Sequence, residues 1–305
     1  MQDKSHYTRY NYKKLYELAV EMFIRYGFSR EDSEKVADVI LTSDRFGVES
    51  HGVNRLTLYP FGIDIGRIKV DAKPEVVEDR LSMAVIDAHD GMGQLASIQG
   101  MQLAIDKAKK YGVGMVSVRN SNHFGIAGYY AKMACDQGLV GMAMTNSEAI
   151  MVPTYARMAM IGSNPIALAV PAEPYPFFFD ASTTVVTRGK LEVYNKMGKP
   201  LPEGWALDKD GHPSTDAKDV LKNIVAKNGG GIMPLGGNTE TLGSHKGYGY
   251  GMLCEIFCSV FSQGTPSSHV NVGSKSGTCH GFMAVDPSIF GDPAAIKEHF
   301  SAYLQ

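Results

Sequence analysis

Glu49-Ser50-His51-Gly52-Val53-Asn54-Arg55-Leu56 sets a histidine between a hydroxyl and a glycine, with an arginine four residues on. With a helix starting at Val53, His51 and Arg55 stand about one turn apart at its entrance, within reach of one small molecule. Arginine offers a planar fork for a carboxylate and histidine titrates near neutral pH, so the pair suits a small acid that gains or loses a proton. The plainer reading is a surface loop in which Ser50 caps a helix and Arg55 has no special task. The stretch also divides the chain: before it the pattern is helical, and beyond it strands and helices mix.

Upstream, Tyr12 to Tyr26 reads as an amphipathic helix with Leu15, Leu18, Met22, Phe23 and Tyr26 on one face and Gly27 as its stop. Ser29 opens a second helix through Val36, Val39, Ile40 and Ser43, ending near Gly47. A third runs from Val53 toward Tyr59, interrupted by Pro60 and Gly62. These segments predict a helical N-terminal domain, residues 1–72, with its boundary in Lys69 to Pro74, joined by a C-terminal helix from 290–305. Residues 73–289 form a mixed α/β domain.

Within that second domain, strands are expected at Met83–Asp87, Val113–Val118, Leu139–Thr145, Ile166–Val170 and Phe282–Val285, with a short buried strand at Phe177–Asp180. Helices are expected at Ala96–Tyr111, Ala127–Gln137, Met252–Phe261 and Ala294–Leu304. The last has no cap, which predicts a natural C-terminal portion beyond it. Lys196 to Lys227 reads as surface loops with a short helix. Gly91-Met92-Gly93-Gln94-Leu95-Ala96 matches the dinucleotide fingerprint. Its approach is polar, however, and no strand ending in an acidic residue follows about 20 residues later, so a Rossmann mode of binding is not expected.

The 305 residues are enough for about two domains. Lys plus Arg (30) against Asp plus Glu (32) leaves a net charge of −2 without a basic run, which argues against nucleic acid or an anionic membrane. No apolar stretch reaches the roughly 20 residues of a membrane span, and the polar start Met1 to Tyr12 is not a signal peptide. Cys135, Cys254, Cys258 and Cys279 read as buried free thiols of a cytoplasmic protein, not as a zinc site.

Two histidines lie in polar turns beside glycine: His51, and His123 in Asn-His-Phe-Gly. Each is a candidate acid/base, or simply a hydrogen-bonded turn residue. The other seven carry weaker signals, with His6, His212 and His299 in surface segments and no HxxxH or HExxH spacing for a metal. Asp180 ends an apolar strand ahead of small hydroxyl residues and would orient a histidine, hold a ribose or cap a helix. Lys246, in a glycine-flanked turn ahead of a helix, would meet phosphate.

Taken in order, Ser50-His51-Gly52 with Arg55, Asn120-Ser121-Asn122-His123-Phe124-Gly125, Thr145-Asn146-Ser147, Gly162-Ser163-Asn164-Pro165, Asp180-Ala181-Ser182-Thr183 with Arg188-Gly189-Lys190, and Pro234-Leu235-Gly236-Gly237 with His245-Lys246-Gly247-Tyr248-Gly249 resemble the type-2 malate/L-lactate dehydrogenase family. That family also contains ureidoglycolate, sulfolactate and diketogulonate-type reductases. The resemblance implies a non-Rossmann NAD(P) oxidoreductase, homodimeric, with its active site near the subunit interface. It implies that His51 or His123 moves the proton at the substrate's C2 oxygen, and that Arg55 clamps the carboxylate with Ser50 and Tyr59 nearby. Ser147, Asp180, Ala181, Ser182, Lys246 and Gly247 would contact the cofactor, NAD or NADP. Two departures stand out: a later Pro-Gly-Glu segment is not reached, and Asp-Ala-Ser-Thr-Thr stands for the more usual Asp-Met-Ala-Thr-Ser. The expected reaction interconverts a 2-oxo and a 2-hydroxy acid. Its rivals are a reductase of cyclic 2-imino acids or ureidoglycolate type, a dinucleotide-binding protein without turnover, and, more remotely, a zinc hydrolase.

Overall fold

A computed structural model describes residues 9–305; His6 lies outside them. Helix α1 (Tyr12–Arg25) opens on Asn11, whose side chain accepts from the Lys14 N–H, and α2 (Arg30–Arg45) opens on Ser29, which accepts from the Asp32 N–H. They bury Ala19, Val20 and Phe23 against Val36, Ala37, Ile40 and Leu41. Leu18, expected on this inner face, is 62% exposed. It lies five residues from Phe23, about 140° around the helix, whereas Ala19 and Val20 fall one turn below that ring.

Two 3-10 turns follow, Glu49–His51 and Val53–Leu56, and then α3 (Leu58–Asp64). The expected helix from Val53 is thus a 3-10 turn, and Pro60 does not interrupt α3. It sits in the first helical turn, where a backbone N–H has no acceptor within the helix to lose.

The rest of the chain runs β1 (Glu75–Arg80), β2 (Met83–Asp87), α4 (Gly93–Tyr111), β3 (Val113–Ser121), α5 (Ala127–Cys135), β4 (Val140–Thr145), β5 (Ile166–Val170), β6 (Phe177–Ala181), α6 (Arg188–Lys196), β7 (Ala206–Leu207), α7 (Ala217–Ala226), β8 (Gly231–Ile232), α8 (Ser244–Glu255), β9 (Thr278–Val285) and α9 (Pro293–Leu304). β1 and α6 were not expected. Seven strands form one sheet in the order β1-β2-β3-β9-β4-β5-β6. Only β2 and β3 are parallel; the other neighbours run antiparallel. The α/β class expected from the sequence is the one found.

Helices α4 and α5 cover one face of this sheet, and a glycine sits under each. A Cβ at Gly114 would lie 1.9 Å from the Ala104 carbonyl oxygen, and one at Gly141 2.1 Å from that of Ala131. On the other face, α8 continues as a π-helical turn (Ile256–Val260), packing Cys254 and Cys258 on Met144 and Cys279. All four cysteines are buried and free, and burial pushes the Cys279 thiol up to about 12. α6, α7 and the β7–β8 pair enclose a separate small core with Ile150. α9 lies by the start of β6, where Phe300 meets Phe177 and Ser301 accepts from the Glu173 N–H. β6, expected to be buried, is the sheet's edge, with Phe177, Phe178 and Phe179 at 37%, 38% and 46% exposure.

The Gly91–Ala96 motif does open a helix between two parallel strands, β2 and β3. Its second glycine packs on the loop after β3: a Cβ at Gly93 would lie 2.2 Å from the Asn122 carbonyl oxygen and 2.4 Å from that of His123.

One residue in the middle of the sheet governs what lies above it. His280, on β9, is fully buried. Its Nε2 is 2.8 Å from Ser121 Oγ at the end of β3, and its Nδ1 2.8 Å from Thr145 Oγ1 at the end of β4. The ring lies flat on Phe124, with centroids 4.5 Å apart and planes 3° apart. Burial lowers its pKa to about 3.

Two outcomes follow from this packing. Gly114→Ala should cost about 1–3 kcal/mol by forcing α4 off the sheet. Gly249→Ala, in open space on α8, should instead gain up to about 1 kcal/mol; equal melting temperatures for the two variants would contradict this. The unfolded chain protonates His280 near pH 6.5 and the folded one only near 3. Its contribution is therefore intact above about 6.5 and lost as pH falls, by about 2–3 kcal/mol at pH 4.5. Urea titrations across that range should show His280→Gln with a flatter loss than the parent.

Candidate active site

The turn carrying His51 is pinned to the end of α2. Asp44 Oδ2 accepts from the Val53 N–H at 2.9 Å, and a Cβ on Gly52 would fall 1.8 Å from Asp44 Oδ1. Only glycine lets the carboxylate come this close. Burial raises the Asp44 pKa, against the pull of the Val53 N–H. Ser50 caps no helix; its hydroxyl lies 2.9 Å from His51 Nδ1. Arg55 folds back so that its Nε donates to the Ser50 carbonyl at 2.7 Å. Among the described residues its guanidinium makes no salt bridge, leaving the rest of the fork for an anion.

His123 leaves the end of β3 and stacks on His51, with centroids 5.1 Å apart and planes 26° apart. Residues 72 positions apart in the chain, each singled out from its own turn, thus share one site. The buried Tyr59 of α3 places its hydroxyl 2.8 Å from His123 Nδ1, and the Gly125 N–H points at the same nitrogen from 3.3 Å. With Nδ1 accepting, the neutral ring carries its hydrogen on Nε2. Burial lowers His123 well below the usual histidine range, helped by His51, Arg55 and His280. Burial, then Arg55, lowers His51 to about 4. Both rings are uncharged at neutral pH, beside a fixed positive charge. An anion seated on Arg55 would remove one of the causes that depress them.

The other candidates gather along a run of backbone bonds. Ser147 Oγ accepts from the Ser163 N–H at 3.0 Å, the Ser163 carbonyl from the Thr183 N–H at 2.9 Å, and the Thr183 carbonyl from the Leu235 N–H at 2.8 Å. Gly247 lies on Leu235, where a Cβ would come within 2.4 Å of its N and O. Ser147, the Ala181–Ser182 turn and Gly247 therefore form one neighbourhood. Lys246 was expected in a turn ahead of an apolar helix. α8 instead begins at Ser244, so Lys246 is exposed within its first turn. An ammonium at a helix start, beside small hydroxyl residues, fits the phosphate and ribose of a dinucleotide. Asp180 Oδ2 accepts from the Gly128 N–H at 2.7 Å, capping α5 across space and tying this side to the segment that follows His123. Among the described residues no group of three or more His, Cys, Asp and Glu is placed to hold a metal ion, and no helix is long and apolar enough to cross a membrane.

Sequence reasoning passed over His280, because it sits inside an apolar strand rather than a polar turn. A histidine in register with inward-facing Phe282 was its only signal. It also discarded Gln94 along with the glycine motif, although Gln94 is fully buried on α4 beside Tyr59.

The sequence profile of the malate/L-lactate dehydrogenase family matches residues 10–305. The malate dehydrogenase of Pyrococcus horikoshii is 42% identical over 301 residues, covering 98% of this chain and 82% of that protein. A delta(1)-pyrroline-2-carboxylate reductase of Pseudomonas fluorescens is 30% identical over 94% of this chain and 83% of its own length. The crystal structure of malate dehydrogenase from Entamoeba histolytica superposes with a TM-score of 0.92 at 33% identity, covering 97% of this chain and 83% of that one. A stacked histidine pair beside an open guanidinium, on a mixed sheet shared with these enzymes, belongs to an oxidoreductase scaffold, and the chain is a member of the malate/L-lactate dehydrogenase family.

Proposed function

We propose that this protein interconverts a small 2-oxo acid of malate or lactate type and its 2-hydroxy acid, using NAD or NADP. The observation that carries this reading is the open Arg55 guanidinium in the same turn as one of two stacked, neutral imidazoles. Arg55 binds the substrate carboxylate, and Ser50 and Tyr59 line the same site. His123 exchanges the proton at the C2 oxygen through Nε2, since the buried Tyr59 hydroxyl holds its Nδ1. His51, whose partner Ser50 is exposed, stands between that ring and solvent. A bound nicotinamide supplies or accepts the hydride; Ser147, Asp180, Ala181, Ser182, Lys246 and Gly247 hold the dinucleotide. Residues 1–72 act as the unit that presents the substrate groups and 73–289 as the unit that holds the cofactor. We place the protein in the cytoplasm, and we read it as a homodimer, an association that the exposed phenylalanines of the β6 edge support.

A second reading shares this machinery. A cyclic 2-imino acid has the same carboxylate for Arg55, and the pyrroline-carboxylate reductase relative favours it. One spectrophotometric screen separates the two: oxaloacetate, pyruvate and a cyclic imine, each with NADH and with NADPH. Oxidation by the imine alone would overturn the 2-oxo acid assignment, and oxidation by none would leave a binding protein without turnover.

Variants test the roles. Arg55→Lys should raise KM for the acid tenfold or more with a smaller change in kcat, because an ammonium cannot reproduce the two-point fork. His123→Ala should lower kcat by about 10²–10⁴-fold, and normal turnover in both variants would remove the assignment. The pH dependence has a defined sign. Oxidation needs a neutral base, and burial holds His123 well below the usual histidine range, so its kcat/KM should stay flat as pH falls through that range and drop only in stronger acid. Reduction needs the imidazolium, so its kcat/KM should keep rising as pH falls over the same range.

A further inference from the structure

Gln94 is fully buried, yet neither its amide nitrogen nor its amide oxygen has a hydrogen-bond partner among the described residues. The same holds for the hydroxyl of Ser97, one turn further along α4. Groups of this kind are rare in protein interiors, and each invites an explanation. Gln94 lies against the Tyr59 hydroxyl: burial raises the Tyr59 pKa, and Arg55 and then the Gln94 amide act against that rise. Tyr59 in turn touches His123 Nδ1. An amide with both atoms unengaged therefore stands one hydroxyl away from the proposed proton carrier.

The resting arrangement does not suit that role. Nδ1 accepts from both Tyr59 and the Gly125 N–H, so the neutral ring holds its hydrogen on Nε2. A ring that takes a proton from an alcohol through Nε2 must already carry hydrogen on Nδ1, and the imidazolium that gives it back carries hydrogen on both. In each working state Nδ1–H donates to the Tyr59 oxygen. The Tyr59 hydrogen then needs another acceptor inside the core.

We propose that Gln94 is a positioning residue that lets the Tyr59 hydroxyl reverse, and so permits the Nδ1–H forms of His123. In the resting form Tyr59 donates to Nδ1, and the amide lies beside the Tyr59 oxygen with neither of its atoms engaged. In the working form Nδ1–H donates to the Tyr59 oxygen, and Tyr59 donates to the amide oxygen. The amide turns over without breaking another bond, since neither of its atoms holds one. The proton count is conserved: the hydrogen leaving Nε2 goes to the substrate oxygen in reduction, and the one arriving there in oxidation comes from the substrate hydroxyl. The other titratable or charged groups facing His123 are His51 and Arg55 on the 3-10 turns and His280 on β9; Tyr130 on α5 faces Tyr59. All of these persist when Gln94 is replaced.

The inference rests on His123 as proton carrier, and its test is separable from that reading. Ring nitrogen NMR on the full chain at neutral pH, with signals assigned against His123→Asn, reports the two tautomers without cofactor or substrate. Gln94→Met keeps the length but offers neither donor nor acceptor. It should leave only the Nε2–H tautomer, and lower kcat tenfold or more in both directions with KM for the acid unchanged. Gln94→Glu retains an acceptor and should keep the Nδ1–H population at or above the parent level. Unchanged tautomers in Gln94→Met, or the same shift in both variants, would overturn the proposal and make Gln94 a packing residue. Should His123→Asn turn over normally, the proton-carrier reading fails instead, whatever the tautomers show.

Discussion

The hydrogen bonds from the two nitrogens of His280 to Ser121 and Thr145 hold the upper end of the sheet together. β3 and β4 are not neighbours; β9 lies between them, and both of the loops that matter begin where they end. One loop carries His123, the other Ser147. A neutral imidazole serves two hydroxyls at once, one on each side, and its face supports Phe124, the residue after His123. Charging that ring would place a cation among apolar and hydroxyl groups with no anion facing it, and burial accordingly keeps it neutral far into acid.

Close backbone approach does the remaining work. Gly52 admits Asp44, Gly93 admits the Asn122–His123 backbone, Gly114 and Gly141 admit helices α4 and α5, and Gly247 admits Leu235. In each case a methyl group would overlap an atom of the opposing segment, so separate stretches are fixed at distances that larger residues forbid. These contacts fix the candidate residues carried by six parts of the chain: the 3-10 turns, α3, the β3 loop, the β4 loop, the turn after β6 and the start of α8. Glu255 shows the same economy of charge below the site. It is buried with no cation paired to it among the described residues, and it is held by Asn164, Ser259 and Ser267, so the segment that enters β5 is locked to α8.

Much of this was legible from residue patterns. The Ser29 cap, the α4 and α5 periodicity and the glycine stops at 112 and 138 gave helices close to those found, because capping and amphipathicity are local properties. His51 and His123 were separable from other histidines by their polar, glycine-flanked turns. What could not be read was long-range. Nothing local says that Phe177–Phe179 ends a sheet rather than fills it, since an apolar run looks the same at an edge and in a core. Nothing local pairs His280 with residues more than 130 positions away. The Gly91 motif reads against a Rossmann mode by its polar approach and the lack of a following strand with an acidic end, whereas the packing of Gly93 on residues 122 and 123 depends on where a distant loop returns. Pro60 misled because its effect depends on its place in the helical turn, not on its presence.

β9 is the central strand of the sheet and the last of its seven strands in order along the described residues. Its pairing of Gly281 with Ser117 joins residues 164 positions apart, so β3 and β4 have no common neighbour until β9 has been made. Until then each would present an unpaired margin to other chains, and closing the sheet would bear the full entropy of that long loop. The imidazole that aligns the two loops arrives on that same strand. The loops after β3 and β4 are therefore aligned at the same moment that the sheet closes.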